Sequence, residues 1–410
     1  MTYKLKYTSS QNGARIKLNG SKSISNRVLI IQALCGEAFT IQNLSNAKDT
    51  TTLSTLLDRI ADDAVLDTGA AGTTFRFLTA LLAFKDGSQT LTGSARMKER
   101  PIKVLVDALR HLGADITYLE KEGYPPLQIN SATYNGVQEI QLPADVSSQY
   151  ISALMLIAPY LPNGLHIKLT GEIVSLPYLM MTKNLISFFG GDIEFAKDTF
   201  IVKPSKYKAQ AFQVEGDWSA ASYYYAIAAF EKVGYQIQLE GIHKDSLQGD
   251  HVMMEMSRHF GVETTFDNDV ATLSKKEEPE NGNFDYDFLL CPDIAQTVSV
   301  MMAGLGVSGK LTGLKTLRIK ETDRIDALRI ELAKISVKVD DHGQEDSFTQ
   351  EGKFDLSKTP SFDTYEDHRM AMALASLAIF GSIQINEPMV VNKSYPEFWN
   401  DLKSIGFEIS

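Results

Sequence analysis

Cysteine is nearly absent. The chain has only Cys35 and Cys291 in 410 residues, far apart and outside any CxxC spacing, which excludes a disulfide framework and points to a reducing cytosol. Long hydrophobic runs are missing as well. The strongest, from Ile151 to Leu161, is broken by Ser152 and Pro159 and reaches about half of a membrane span. Met1 to Gln11 carries Lys4 and Lys6 but no apolar segment, so no secretory signal is expected, and the Asn19-Gly20-Ser21 glycosylation triplet then carries no meaning. Positive charge is in deficit: 40 Lys and Arg against 51 Asp and Glu give a net charge of -11, which argues against a nucleic-acid partner. The seven histidines (His111, His166, His243, His251, His259, His342 and His368) show neither HExxH nor close Cys/His spacing, so no metal is expected. An acidic total still permits an anionic small-molecule substrate, because a local cluster of Lys and Arg outweighs the global charge.

What the chain does contain is repetition. One segment type recurs six times: a polar or charged start, an amphipathic helix, then usually Gly and a strand. The copies begin near Asp49, Pro101, Pro177, Asp250, Asp323 and Pro396, each with apolar residues at i, i+3, i+4 and i+7. Gly113, Gly190, Gly261 and Gly406 sit where such helices should end. A second type interleaves with it: a Gly/Ser/Asp-rich turn, a small-residue apolar helix and a short strand. Its starts are Gly20-Ser21-Lys22-Ser23, Gly69 to Thr73, Asp145-Val146-Ser147-Ser148, Gly216 to Ser219, Cys291-Pro292-Asp293 and Tyr365 to His368. The predicted strands that follow include Phe39–Leu44, Leu165–Thr170, Tyr235–Glu240 and Ser382–Asn386. Helices such as Ile151–Ile157 and Met370–Ile379 are apolar on nearly every face and should be buried. Together these make six units of roughly 70 residues that mix helices and strands, an α/β (α+β) class with three units per domain.

The second segment type carries the chemistry. Each buried helix starts in a turn dense with N–H donors and hydroxyls, suited to phosphate or carboxylate. Basic residues collect there: Lys22 and Arg27 at the first, Arg76 on the second, Arg369 on the sixth, with Arg96, Lys98 and Arg100 ahead of Pro101, and Lys393 late in the chain. Lys320 and Arg324 are four apart and are expected to share a helix face. A substrate with more than one anionic group fits such a set, because arginine grips carboxylate and phosphate with two N–H groups at once. Bland readings compete for each motif alone. Lys320 to Arg324 also reads as a solvated ion-paired face, and Asp367-His368-Arg369 as a helix cap with a buried histidine. Gly20-Ser21-Lys22-Ser23 lacks the upstream glycine of a P-loop, Cys291 reads as a small buried residue, and Met253-Met254 and Met301-Met302 read as core.

Taken together the motifs resemble one family. The run Leu18 to Arg27 resembles the P-G-S-K-S-x-S-N-R opening of the 5-enolpyruvylshikimate-3-phosphate synthases, Ala71 to Arg76 their N-A-G-T-x-x-R loop, and Arg96 to Ile102 their R-M-x-x-R-P-I segment. Ser147-Ser148-Gln149, Pro292-Asp293, Lys320 to Arg324, Asp367-His368-Arg369 and Lys393 to Pro396 complete the series in family order. The resemblance implies an inside-out α/β barrel of the enolpyruvyl transferase type, with two domains each of three βαβαββ units that close on substrate. It places a shikimate 3-phosphate domain at 20-215 and a second domain at 1-19 and 216-410, the latter carrying Asp293 and most phosphoenolpyruvate-binding residues. It implies transfer of the enolpyruvyl group of phosphoenolpyruvate to the 5-hydroxyl of shikimate 3-phosphate through a tetrahedral intermediate, the sixth step of chorismate and aromatic amino-acid biosynthesis. No cofactor is implied, and a monomer is expected.

The same resemblance implies site residues. Lys22, Ser23, Arg27, Ser147, Ser148, Gln149, Ser175, Tyr178, Asp293, Thr316 and Lys320 would hold shikimate 3-phosphate. Lys22, Gly72, Arg100, Gln149, Arg324, Arg369 and Lys393 would hold phosphoenolpyruvate. Asp293 would be the base for the 5-hydroxyl, and Glu321 with Lys22 would manage the proton on the enolpyruvyl methylene. Such a reaction needs a carboxylate base, a proton donor and a cationic cradle for the departing phosphate. The chain departs from the family pattern at Ala70, Phe77, Thr316 and Glu366, and none of these removes a charged group assigned to catalysis. The sister transferase acting on UDP-N-acetylglucosamine carries a cysteine before its Arg-Pro pair, whereas Gly93 to Glu99 has none. A non-catalytic anion-binding paralogue would have no use for carboxylates among the cations.

Overall fold

The alternation of two helix types is built into one sheet rule. The computed structural model describes residues 1–145, 147–280, 282–352 and 354–410, so Val146 in the third turn segment lies outside the described residues. In the second repeat, strand Ala64–Asp67, buried helix Gly72–Leu82 and strand Ser88–Thr92 form a parallel pair with its crossover. The amphipathic helix Lys103–His111 then leads into the antiparallel hairpin Asp115–Tyr118 and Leu127–Asn130, whose second strand pairs back onto Ser88–Thr92. Among the described residues three four-stranded sheets follow this rule in chain order, and two more have the same strand pairing with one strand taken from the N-terminal segment. Strand alternation is clean where one face is covered: Leu165, Ile167 and Leu169 are buried while His166, Lys168 and Thr170 are exposed.

The first repeat departs from the rule. Its strand Ile41–Gln42 is much shorter than the 39–44 stretch expected and, among the described residues, pairs only with Phe212–Gln213. No hairpin follows its helix Lys48–Leu57, because only residues 58–63 separate that helix from the next repeat. The N-terminal segment supplies strands elsewhere. Thr2–Tyr7 inserts between Ile383–Asn386 and Phe407–Ile409, with Leu5 opposite both Ile383 and Ile409, and Ala14–Lys17 lies parallel to Gln236–Glu240.

The chain forms two compact units, one of residues 21–214 and one of residues 1–20 with 215–410. Each has three apolar helices packed on one another: Lys22–Cys35, Gly72–Leu82 and Ser148–Ile157 in the first, Trp218–Phe230, Ala295–Leu305 and His368–Ala375 in the second. In the helix Ser148–Ile157 every residue from Tyr150 onward is buried, so burial, not amphipathic periodicity, is what its sequence encodes. The six amphipathic helices begin at Lys48, Lys103, Leu176, Met253, Arg324 and Phe398, within three residues of the polar starts in the sequence. Glycine is required after two of them. Gly261 (φ +76) and Gly406 (φ +105) are left-handed, and a Cβ on either would lie 1.9 Å from a backbone oxygen, of Glu277 and Ser9 respectively. Among the described residues no helix is long and apolar enough to cross a membrane.

Candidate functional site

In the 21–214 unit the polar groups collect at the starts of the three buried helices. Neither Ser21 nor Ala71 caps its helix with a side chain. Lys22 faces Asp49, with Nζ 3.4 Å from Oδ2. Arg27 is 2% exposed, and its donors go to Thr182 Oγ1 (2.7 Å), the Ser23 carbonyl (2.8 Å), Ser152 Oγ (3.1 Å) and the Tyr178 carbonyl (3.4 Å). Its guanidinium lies over the Phe77 ring. No carboxylate is among these partners, and burial lowers its pKa to about 10.

Gly72 is a second focus. Arg76 donates to the Gly72 carbonyl at 2.9 Å, and a Cβ built on Gly72 would lie 2.6 Å from one Arg100 guanidinium nitrogen and 2.8 Å from one of Arg76. The backbone φ there is ordinary, so the requirement for glycine is one of space for two guanidinium groups. Gln149 donates to Thr73 Oγ1 at 3.0 Å, while its Oε1 is buried without a partner. Ser147 caps its helix by accepting from the Gln149 amide (3.4 Å). Ser175 starts the helix Leu176–Phe188 in the left-handed region (φ +57), a sparsely populated conformation for a side-chain-bearing residue. Arg96 and Lys98 instead form surface pairs with Glu99 and Glu120.

In the other unit a partly buried carboxylate–cation network surrounds Asp293 and Arg324. Asp293 Oδ1 faces Arg324 (3.3 Å) and Lys320 (3.5 Å), and its Oδ2 accepts from Arg369 at 3.0 Å. Arg324 Nε donates to Asp367 Oδ2 at 2.7 Å and Nη2 to Glu321 at 3.0 Å. Glu321 pairs in turn with Lys393 at 2.5 Å. Burial opposes the Arg324 charge, yet Asp367, Glu321 and Asp293 outweigh it and hold that guanidinium above its ordinary value. Lys320 is pushed below its ordinary value, chiefly by desolvation. Thr316 is buried on the turn Lys315–Ile319 and its hydroxyl has no partner.

One expectation is corrected. Lys320 and Arg324 do not share a helix face, because the helix begins at Arg324. Asp323 caps it by accepting from the Ile325 and Asp326 amides, both at 3.1 Å, and Lys320 lies outside in the preceding turn. The two cations meet at Asp293 even so. The Asp367-His368-Arg369 motif is both a cap and part of the network: Asp367 accepts from the Arg369 amide at 2.8 Å while pairing with Arg324. Tyr365 and Glu366 immediately before it are consecutive left-handed residues, local strain of the kind stored at functional positions.

Of the site residues read from the sequence, Lys22, Ser23, Arg27, Gly72, Arg100, Ser147, Ser148, Gln149, Ser175 and Tyr178 belong to the first unit. Asp293, Thr316, Lys320, Glu321, Arg324, Arg369 and Lys393 belong to the second. Sequence reasoning missed the partners that orient them: Asp49 on Lys22, Asp367 on Arg324, and Ser219 on Arg369 (3.2 Å). From the sequence Asp49 reads only as a helix start. The signal available for it was an acidic first turn beside a basic motif.

The chain is similar to known proteins along nearly its whole length. The family model described as EPSP synthase (3-phosphoshikimate 1-carboxyvinyltransferase) matches residues 7–61 and 58–402. A 3-phosphoshikimate 1-carboxyvinyltransferase of Bacteroides fragilis is 46% identical over 402 residues, covering 98% of this chain and 97% of its own. One from a Sulfurovum species is 36% identical, covering 95% and 96%. The solved structure of EPSP synthase from Acinetobacter baumannii shares the fold with a TM-score of 0.79 at 20% identity, over 100% of this chain and 99% of its own.

Proposed function

The chain belongs to the EPSP synthase (3-phosphoshikimate 1-carboxyvinyltransferase) family, and from that premise we infer an enzyme that transfers the enolpyruvyl group of phosphoenolpyruvate to the 5-hydroxyl of shikimate 3-phosphate, releasing phosphate. It is a transferase of the shikimate pathway. The observation that carries the assignment of roles is the partly buried network in which Asp293 is gripped by Lys320, Arg324 and Arg369. A scaffold that only bound anions would gain nothing from a carboxylate in that position.

Asp293 takes the proton of the 5-hydroxyl as its oxygen attacks C2 of phosphoenolpyruvate, and Glu321 with Lys22 manages the proton at C3. The tetrahedral intermediate then collapses by C–O cleavage, and Arg100, Arg324, Arg369, Lys393 and the Gly72 N–H receive the departing phosphate. Ser23, Arg27, Ser147, Ser148 and Ser175 hold shikimate 3-phosphate, with Gln149 and Tyr178 beside it, Lys22 serving both substrates, and Thr316 and Lys320 as further ligands. The unit 21–214 is on this reading the shikimate 3-phosphate domain. Support comes from Arg27, a buried cation whose described partners are all uncharged, so that an anionic ligand supplies the missing counter-charge. A cytosolic monomer completes the proposal.

The test is phosphate release from phosphoenolpyruvate by the purified protein. Release is expected only when shikimate 3-phosphate is also present. Equal turnover with UDP-N-acetylglucosamine, or none with shikimate 3-phosphate, overturns the assignment.

A further inference from the structure

The roles above leave Asp250 without a task. It lies on the short turn Gly249–Val252 and is 3% exposed. A carboxylate so placed is costly unless charges or several hydrogen bonds compensate for its lost water. Among the described residues Asp250 has no ion pair. Its one donor is the Ser219 hydroxyl, bound to Oδ2, and Oδ1 is buried without a partner.

Ser219 has a single hydroxyl proton. With that proton committed to Asp250, the lone pairs of Oγ are left to accept, and Arg369 Nη2 donates to Oγ at 3.2 Å. The same Nη2 donates to Asp293 Oδ2 at 3.0 Å, and Nη1 donates to the Asp293 carbonyl at 2.9 Å. Three acceptors therefore fix the plane of the guanidinium, and one of them faces the right way only because Asp250 holds its proton.

We propose that Asp250 is a positioning residue for the transfer reaction: through Ser219 it orients Arg369 and thereby the carboxylate of Asp293. The inference rests on the roles proposed above for Asp293 and Arg369. Without Asp250 the Ser219 hydroxyl is at liberty to turn its proton toward Arg369, setting donor against donor and leaving the guanidinium to rock on Asp293. The charged groups facing Asp250 are Asp293, Arg369 and Asp217, with the Cys291 thiol also near. Burial, then the Asp293 charge, push the Asp250 carboxyl up to about 7. A neutral Asp250 keeps its unprotonated oxygen for Ser219, so the relay survives either protonation state.

The experiment compares Asp250→Ala, Ser219→Ala, the double variant, Asp250→Asn and Asp250→Leu as full-length enzymes. Each alanine variant should lose about 10- to 100-fold in kcat, the range for a hydrogen bond to a charged group. The double variant should lose no more than either single one, since both act through one hydroxyl. Asp250→Asn retains an acceptor oxygen and should keep most of the activity, whereas Asp250→Leu, of similar shape but without an acceptor, should lose as much as the alanine variant, which lost packing alone would not give. Losses that add in the double variant, or full turnover in Ser219→Ala, overturn the proposal. A second readout needs no substrate. In ligand-free protein carrying isotope-labelled arginine, the Arg369 guanidinium resonance, identified by its loss in Arg369→Lys, should broaden in both alanine variants. An unchanged resonance defeats the positioning role whatever the turnover, whereas a wild type inactive on shikimate 3-phosphate with a broadened variant resonance defeats only the assigned reaction.

Discussion

Replacing Asp367 by Asn removes one negative charge from a fully buried ion pair while leaving the shape of the side chain intact. Arg324 is 1% exposed and Asp367 0%, with Nε 2.7 Å from Oδ2. Removing one partner of such a pair costs about 3–5 kcal/mol, most of it the cost of a stranded charge. Arg324 is not stranded entirely, because Glu321 remains at 3.0 Å and Asp293 at 3.3 Å. The expected loss is therefore about 2–3 kcal/mol, below the range for a fully stranded charge because two carboxylates remain on the guanidinium. Asparagine still accepts from the Arg369 amide, so the cap at the start of the helix His368–Ala375 survives. Asp367→Ala loses the cap too and should be worse by about 1 kcal/mol. Both tryptophans, Trp218 and Trp399, lie in the unit formed by 1–20 and 215–410, so their fluorescence during urea unfolding reports that unit alone. If Asp367→Asn unfolds at the wild-type urea concentration, the network is not held by this pair and the argument fails.

Asp293→Asn should lower kcat by ~10²–10⁴, the usual worth of a general base, while calorimetry shows shikimate 3-phosphate still binding; near-full turnover would move the base to Glu321. Gly72→Ala gains about 0.4–1 kcal/mol from reduced freedom of the unfolded chain but forces aside guanidinium nitrogens lying 2.6 and 2.8 Å from the new Cβ. The unfolding midpoint should hold or rise while the KM for phosphoenolpyruvate increases about tenfold, a loss of one charge-assisted hydrogen bond; an unchanged KM would show that Arg100 has no part in holding it. Stability should also depend on pH through Asp250. Its carboxyl titrates near 3.8 in the unfolded chain and about 7 in the folded one, so the folded state binds the extra proton between those values and loses stability as pH rises through them. Asp250→Asn should thus gain about 2–4 kcal/mol on the wild type at pH 8 and little at pH 4, and equal gaps at both would refute it.

Much of the fold was legible because each repeat announces itself twice, by a polar helix start and by an apolar stretch too continuous for a surface helix. What periodicity could not show was strand traffic. Nothing in Thr2–Tyr7 says that it pairs with residues near 385 and 408, since long-range register is set by which sheet edge is left open. The missing hairpin of the first repeat was in principle visible as the short gap between Leu57 and Ala64. The helix placed across Lys320 failed for a readable reason: Asp323 heads an apolar run and is a better cap than an interior residue. At the site, the residue types that grip anions could be picked out by motif, but the carboxylates that orient them could not. Asp49, Asp250 and Asp367 all sit at or near helix starts, where an aspartate already has a local explanation.

Carboxylate partners explain how the cations within each unit can be kept together before any substrate arrives. Lys22 is matched by Asp49, Arg324 by Asp367, Lys393 by Glu321, and Lys320 and Arg369 by Asp293. Each carboxylate occupies donors that the proposed reaction needs for phosphate or for the carboxylate of phosphoenolpyruvate. Anion binding on this reading is an exchange of partners, not the filling of an unbalanced positive hole, and the net charge buried in each cluster changes less than the cation count suggests. An arriving phosphate that takes N–H groups from Arg324 and Arg369 loosens the grip on Asp293, and a proton can then reach that carboxylate without first breaking three ion pairs. Asp367 does not share in the exchange, because its second task as a helix cap ties it in place. The arrangement thus separates carboxylates that must let go from one that must not, and the difference is whether the side chain also holds up a helix.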